Sequence, residues 1–168
     1  MAHNKYNEKI GDLIKKTLIE NGRSARWLAD MIHCKRRNIY DIFNRSSFDT
    51  AQLLRISFAL KTNFFVYYSE NLIDKTEYAS PTIFQYLLQD EIHIGKLIKN
   101  RLCENGQKAS WLANKIRLRR DSVYKVFDRK SIDTALLLLV CETLKTNFFE
   151  YYCEIYDNTV KIKDKIEK

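Results

Sequence analysis

One proline and four glycines in 168 residues leave little material for the tight turns that a many-stranded sheet needs. That shortage favours helices joined by short connections. Long apolar runs are missing as well. The longest, Ala135 to Cys141, falls far below the roughly 20 residues that a bilayer-spanning helix takes. The opening residues MAHNKYNEK contain no apolar stretch of the kind that directs secretion, so no signal peptide is expected. The four cysteines, Cys34, Cys103, Cys141 and Cys153, form no C-x-x-C pair, and no histidine stands at ligand spacing from one. This argues against a zinc or disulfide framework and predicts reduced, mostly buried thiols in a cytoplasmic protein. His3, His33 and His93 are scattered without a partner pattern. With no phosphate-binding glycine loop and no nucleophile–base spacing, the reading is of a non-enzyme without cofactor or metal.

What is present is positive charge, and it is unevenly placed. The chain carries a formal +8. Residues 8–70 hold 11 basic and 7 acidic side chains, a net +4, and residues 92–154 hold 12 and 7, a net +5. Residues 71–91 between them hold one lysine and four acids, a net −3. Such a distribution suits a polyanionic partner that meets two separate basic regions.

Those two regions are copies of each other at an offset of 84 residues. Gly11 pairs with Gly95, Asn21-Gly22 with Asn105-Gly106, Trp27 with Trp111, and Tyr40 with Tyr124. Asp49-Thr50 pairs with Asp133-Thr134, Lys61 to Phe65 with Lys145 to Phe149, and Tyr67-Tyr68 with Tyr151-Tyr152. About half the positions are identical and no gap is needed. The division is therefore a first unit at 8–70, an acidic and partly helical linker at 71–91, a second unit at 92–154, and a charged tail at 155–168 that is expected to fray.

Each unit reads as five helices, making the fold class all-α. In the first unit Ile10, Leu13, Ile14, Thr17 and Leu18 share one stripe, and Asn21-Gly22 ends that helix. Ser24 suits the N-cap of a second helix. Lys35 to Arg45 forms the third. Asp49 caps the fourth, with Gln52 in the capping-box position. Asn63 caps a short fifth helix over Phe64 to Tyr68, as Asn147 does in the second unit. In the linker, Ser80-Pro81 reads as a helix start.

Helices two and three, SARWLADMIHCKRRNIYDIFNR and again KASWLANKIRLRRDSVYKVFDR, make a helix-turn-helix pattern, the arrangement that sets a second helix into a major groove. The whole unit resembles the Cro/C1-type (XRE) helix-turn-helix family. The resemblance is carried by W-L-A at Trp27 to Ala29 and Trp111 to Ala113, by I-Y-x-I-F at Ile39 to Phe43, by V-Y-x-V-F at Val123 to Phe127, and by L-K-T-N-F-F at Leu60 to Phe65 and Leu144 to Phe149. It implies two tandem five-helix lambda-repressor-like units and sequence-specific binding of double-stranded DNA in transcriptional control. Two positions depart from the family. Its frequent turn glycine is replaced by His33 and Arg117, and its glutamine at the start of helix two by Ala25 and Ala109; in addition, Lys108 replaces the Ser24 cap in the second unit. A non-glycine residue in that turn means either positive φ or a different shape.

The third helix turns Ile39 and Phe43 inward, which leaves Arg36, Arg37, Asn38, Tyr40 and Asp41 as candidates for base contact. Arginine matches guanine O6 and N7, and asparagine matches adenine. Lys35, Asn44 and Arg45 are placed for phosphates, which fix register without reading sequence. The second unit offers Arg119, Arg120, Ser122, Tyr124, Lys125, Arg129 and Lys130. It exchanges Arg37 for Asp121, Asp41 for Lys125 and Asn44 for Asp128, so the units should not be equivalent on DNA and the first should dominate. Trp27 and Trp111 fall on the apolar side of helix two and read as core. The F-F-x-Y-Y runs read as core with an exposed rim. That rim, or the linker helix, supports the alternative reading of an antitoxin-like or assembly module that pairs with a protein or with itself. No membrane partner is expected.

Overall fold

The computed structural model describes residues 8–72, Tyr78 and residues 93–166. It is all-α. Among the described residues there are ten helices and no strand beyond one isolated bridge. The first five are α1 (Ile10–Glu20), α2 (Ala25–Met31), α3 (Arg36–Phe43), α4 (Thr50–Leu60) and α5 (Phe65–Asn71). The next five are α6 (Ile94–Glu104), α7 (Ala109–Lys115), α8 (Arg120–Phe127), α9 (Thr134–Leu144) and α10 (Phe149–Ile166). Each of the second five starts 84 residues after its counterpart. The linker helix expected from Ser80-Pro81 lies outside the described residues.

The helix ends follow from local chemistry. Gly22 and Gly106 take φ of 62° and 66° just past α1 and α6, the left-handed conformation that lets a helix close its last carbonyls. Ser24 caps α2 by accepting from the Trp27 N–H at 3.1 Å, whereas Lys108 makes no such bond at α7. Asp49 accepts from the Ala51 and Gln52 N–H groups at 3.0 and 3.3 Å. Gln52 does not complete a capping box. Its Oε1 accepts instead from Arg45 Nη1 at 3.3 Å, because the chain leaving α3 passes within reach. The fifth helix is α5 at Phe65–Asn71 rather than Phe64 to Tyr68, with Phe64 as its N-cap; Asn63 sits one residue further out and accepts from the Phe65 N–H at 3.2 Å. Asn147 does not repeat this: its amide donates to Ser69 Oγ at 2.8 Å and to Glu150 Oε1 at 3.1 Å.

In each repeat the first helix is pinned to the end of the third. The Gly11 N–H donates to the Arg45 carbonyl at 3.1 Å, and the Gly95 N–H to the Arg129 carbonyl at 3.0 Å. A Cβ on Gly11 would lie 2.5–2.7 Å from the carbonyl oxygens of Phe43, Ile42 and Arg45. Glycine is needed here for backbone approach, and this approach fixes where α3 ends. Ile14, Leu28, Ile39, Leu53 and Ile56 fill the core beneath, all fully buried.

Two further expectations are corrected. The tail does not fray after Tyr156, because α10 continues to Ile166. There the Tyr156 ring stacks on Phe58 of α4 at 5.3 Å, and Lys163 lies over the same Phe58 ring at 5.2 Å. The cysteines are free, but only Cys141 is buried. Cys34 and Cys153 are half-buried and Cys103 is exposed.

The repeats meet along a seam whose central contacts occur in pairs. The Thr50 N–H donates to the Ile132 carbonyl at 2.9 Å, and the Thr134 N–H to the Phe48 carbonyl at 2.8 Å. Thr134 Oγ1 accepts from the Phe48 N–H at 3.0 Å, and Thr50 Oγ1 from the Ile132 N–H at 3.1 Å. Ser131 donates to Asp49 Oδ2 at 2.7 Å, and Ser47 to Asp133 Oδ2 at 3.0 Å. Deeper in, Phe65 stacks on Tyr152 with centroids 4.6 Å apart, and Tyr68 on Phe149 at 4.8 Å. Residue i meets j while the copy of j meets the copy of i, which is the pattern of a two-fold interface within a single chain.

Candidate nucleic-acid interface

The first helix-turn-helix is α2, the turn 32–35 and α3. Its turn adopts positive φ without glycine: His33 and Arg117 both stand at 55°. The Cys34 N–H then returns to the Ala29 carbonyl at 2.9 Å, and the Leu118 N–H to the Ala113 carbonyl at the same distance. A left-handed non-glycine residue costs on the order of 1 kcal/mol, which the packing on both sides offsets.

The third helix is one residue shorter at its start and two at its end than the sequence suggests, with Lys35 and Asn44 as its caps. It buries Ile39, Ile42 and Phe43. Lys35, Arg36, Arg37, Asn38, Tyr40, Asp41, Asn44 and Arg45 are all exposed on the other side. In the second repeat α8 buries Val123, Val126 and Phe127. Arg119, Arg120, Tyr124, Lys125, Arg129 and Lys130 are exposed, and Ser122 is half-buried. The structure therefore gathers the sequence-predicted residues onto two helix faces.

Within those faces the side chains are not equally free. Arg36 Nη2 donates to the Tyr40 hydroxyl at 3.2 Å and its guanidinium lies 5.9 Å from the ring centroid. Arg120 and Tyr124 repeat the arrangement at 3.3 and 5.6 Å. The Tyr124 hydroxyl pushes the Arg120 pKa further up, with Asp121 adding to the effect. Pairing at i and i+4 holds a long, rotamer-rich side chain in one orientation before any ligand arrives. Tyr40 and Tyr124 nevertheless stay 48% and 45% exposed, so the pair is a surface feature and not core. Sequence reading lists these residues separately; the i, i+4 spacing of Arg36-Tyr40 and Arg120-Tyr124 was the available signal.

Asn44 and Arg45 are tied back to the protein. The Asn44 amide donates to the Tyr40 carbonyl at 2.9 Å, and Arg45 is held on Gln52. Among the described residues, Lys35, Arg36, Arg37, Arg119 and Arg120 take no salt-bridge partner, and the ion pair within 4 Å is Arg101 with Glu104 at 3.1 Å. These five cations thus make no ion pair with a described residue. Arg37 and Asp121 occupy the same place on α3 and α8, as do Asp41 and Lys125, so the faces differ by two charge reversals.

Trp27 and Trp111 are half-buried and packed against the core. The Arg23 guanidinium sits 4.9 Å from the Trp27 ring centroid, so that ring is already faced by a cation. The aromatics of the fifth helices are not an open rim: Phe65, Tyr68, Phe149 and Tyr152 are buried against one another across the seam.

Among the described residues no three His, Cys, Asp or Glu side chains converge as a metal site, and no helix is long and apolar enough to cross a membrane. The chain matches no family model, no curated protein and no solved structure. The helix-turn-helix resemblance accordingly rests on the residues themselves.

Proposed function

We propose that this chain binds double-stranded DNA by sequence and acts in transcriptional control, with α3 and α8 entering the major groove. The observation that carries the reading is the pair of exposed cationic faces, each built on a helix of a helix-turn-helix and each presenting a pre-oriented arginine. Arg36 and Arg120 are candidates for guanine, with Tyr40 and Tyr124 beside them, and Arg37 adds a second base contact in the first repeat alone. Lys35, Arg119, Arg129 and Lys130 are candidates for phosphate, as is Arg45. Regulation of transcription follows from the family resemblance and not from any residue.

The alternative, an interaction module that has left DNA, draws on Asp121 and Asp128, which would repel phosphate. It loses most of the aromatic surface it would use, since those rings face each other across the seam.

The test is duplex binding across a salt series. Each phosphate contact contributes roughly −0.9 to the slope of log K against log salt. The expected result is measurable binding at low salt with a slope of several units. A flat response, or no retention of any duplex at low salt, refutes the reading. Arg36→Ala and Arg37→Ala should each relax preference among duplexes by on the order of 1–3 kcal/mol, whereas Arg45→Ala should weaken all duplexes about equally.

A further inference from the structure

The roughly twenty residues between the units do not by their sequence set how far apart two DNA-binding units stand. The seam limits that distance. It joins Ser47–Thr50 to Ser131–Thr134 through paired backbone bonds, with Asp49 facing Asp133 in an antiparallel bridge. These segments lie immediately after α3 and α8. From Asn44 to Asp49 and from Asp133 back to Asp128 the chain runs only ten peptide steps in all. Ten extended steps and one bridge width reach at most about 40 Å. The separation of the ends of α3 and α8 is thus capped at about 40 Å, a range that includes one turn of duplex, roughly 34 Å.

Several features make the seam rigid. Asp49 and Asp133 each use one carboxylate oxygen to cap their own helix and the other to accept a serine hydroxyl from the opposite repeat. Thr50 and Thr134 are fully buried. Their hydroxyls also bond the tyrosines of the opposite repeat: Tyr152 donates to Thr50 at 2.8 Å, and Thr134 donates to Tyr68 at 2.9 Å. Two stacked aromatic pairs lie beneath. Helix α10 then extends over α4 of the first repeat, with Tyr156 and Lys163 on Phe58.

Resting on the DNA reading above, we infer that one chain is a complete two-headed clamp: a single molecule reads both arms of an imperfect palindrome at one fixed spacing. The arms agree where Arg36 and Arg120, or Tyr40 and Tyr124, face the same step. They differ where Arg37 is answered by Asp121, Asp41 by Lys125 and Asn44 by Asp128. A two-chain dimer has identical arms and assembles with concentration. This chain has unlike arms and its second head is always present, so occupancy follows the first power of protein concentration.

The experiment uses the full chain. Sequences are selected from a random duplex pool, and the enriched site is remade with about five base pairs, roughly half a turn, inserted between its arms. The insertion should lower affinity by on the order of tenfold or more, because only one head then engages. Sedimentation of the saturated complex should give one chain per duplex. The triple variant Asp121→Arg, Lys125→Asp, Asp128→Asn carries the first repeat's charges on exposed positions of the second, and its selected site should become a more perfect palindrome. Equal affinity for the inserted duplex, two chains per duplex, or an unchanged site for the triple variant would each overturn the clamp while leaving DNA binding standing. Failure to enrich any duplex at low salt would instead bring down the DNA reading, and the clamp with it.

Discussion

Thr50→Val is the most informative single change at the seam. Valine has nearly the same shape, so no cavity is made. What is lost is an oxygen that accepts two buried hydrogen bonds, from the Ile132 N–H at 3.1 Å and the Tyr152 hydroxyl at 2.8 Å. Both donors are cut off from water, since Ile132 and Tyr152 are each 1% exposed. An orphaned buried donor costs about 1–3 kcal/mol. Two of them, with some relaxation, give a loss of about 2–4 kcal/mol. For a chain of this length that lowers Tm by roughly 6–12 °C. Tyr152→Phe should be milder, about 1 kcal/mol, because Thr50 keeps its bond to Ile132. The double variant decides the matter. With the tyrosine hydroxyl gone, Thr50→Val orphans only one donor, so the pair should cost less than the sum of the singles by about 1–2 kcal/mol. Urea denaturation followed by circular dichroism measures all three, with an unchanged m-value showing that the unfolded state is the same. Strict additivity, or a Thr50→Val cost below about 0.5 kcal/mol, would mean that the repeats are not held by this network.

Other perturbations follow from the same geometry. Gly11→Ala should destabilise by about 1–3 kcal/mol, because the new methyl meets backbone carbonyls of Ile42, Phe43 and Arg45 that have no rotamer to yield; thermal melting checks it, and a neutral result would mean that α1 is free to slide on α3. Tyr40→Phe keeps the ring and removes the hydroxyl that holds Arg36, so stability should stay within about 0.5 kcal/mol while preference among duplexes loosens in a selection experiment. Stability should also fall at alkaline pH. Burial pushes the Cys141 thiol up to about 12 and the Cys153 thiol up to about 11, and raises the Tyr68 and Tyr152 hydroxyls too. The folded state therefore keeps protons that the unfolded chain releases from about pH 8.5 upward, so stability is whole below that pH and declines as pH climbs toward 12. Cys141→Ser, which installs the residue standing at Ser57, should make the decline shallower in a series of melts against pH.

The helices and their caps were legible because they depend on neighbours in sequence. Ile10, Ile14 and Leu18 repeat at the helical period, Asn21-Gly22 supplies the left-handed stop, and Asp49 reaches the N–H groups two and three residues on. The outer face of α3 was legible for the same reason, since burying Ile39 and Phe43 fixes the rest by rotation. The errors arise where a residue found a partner far along the chain. Gln52 matches a capping box, yet Arg45 competes for its oxygen. Asn147 occupies the position of Asn63 but is drawn to Ser69, 78 residues away. The tail after Tyr156 is too charged to hold a helix alone, and Phe58 gives it something to lie on. Gly11 was legible as a repeated residue, but its purpose depends on the carbonyls at the end of α3.

The seam also accounts for what the two copies retain and what they change. In a two-fold surface each side chain that bonds across it serves in both roles, whereas Phe48 and Ile132, which meet the opposite repeat through their backbones, can differ. Ser47, Asp49, Thr50, Phe65 and Tyr68 recur unchanged as Ser131, Asp133, Thr134, Phe149 and Tyr152. Changing Thr50 without Thr134 would break one half of a reciprocal network, whereas Ser57 and Cys141 differ yet serve alike, accepting from the Phe64 N–H and the Phe148 N–H at the same 3.4 Å. The outer faces carry no such constraint. Arg37 and Asp121 never meet, nor do Asp41 and Lys125, so each face is free to fit its own ligand. A folded pair of repeats neither requires nor forbids opposite charges at matching places on α3 and α8. On the DNA reading proposed above, two unlike arms call for such a difference, and the fixed seam would hold the two faces as one asymmetric surface.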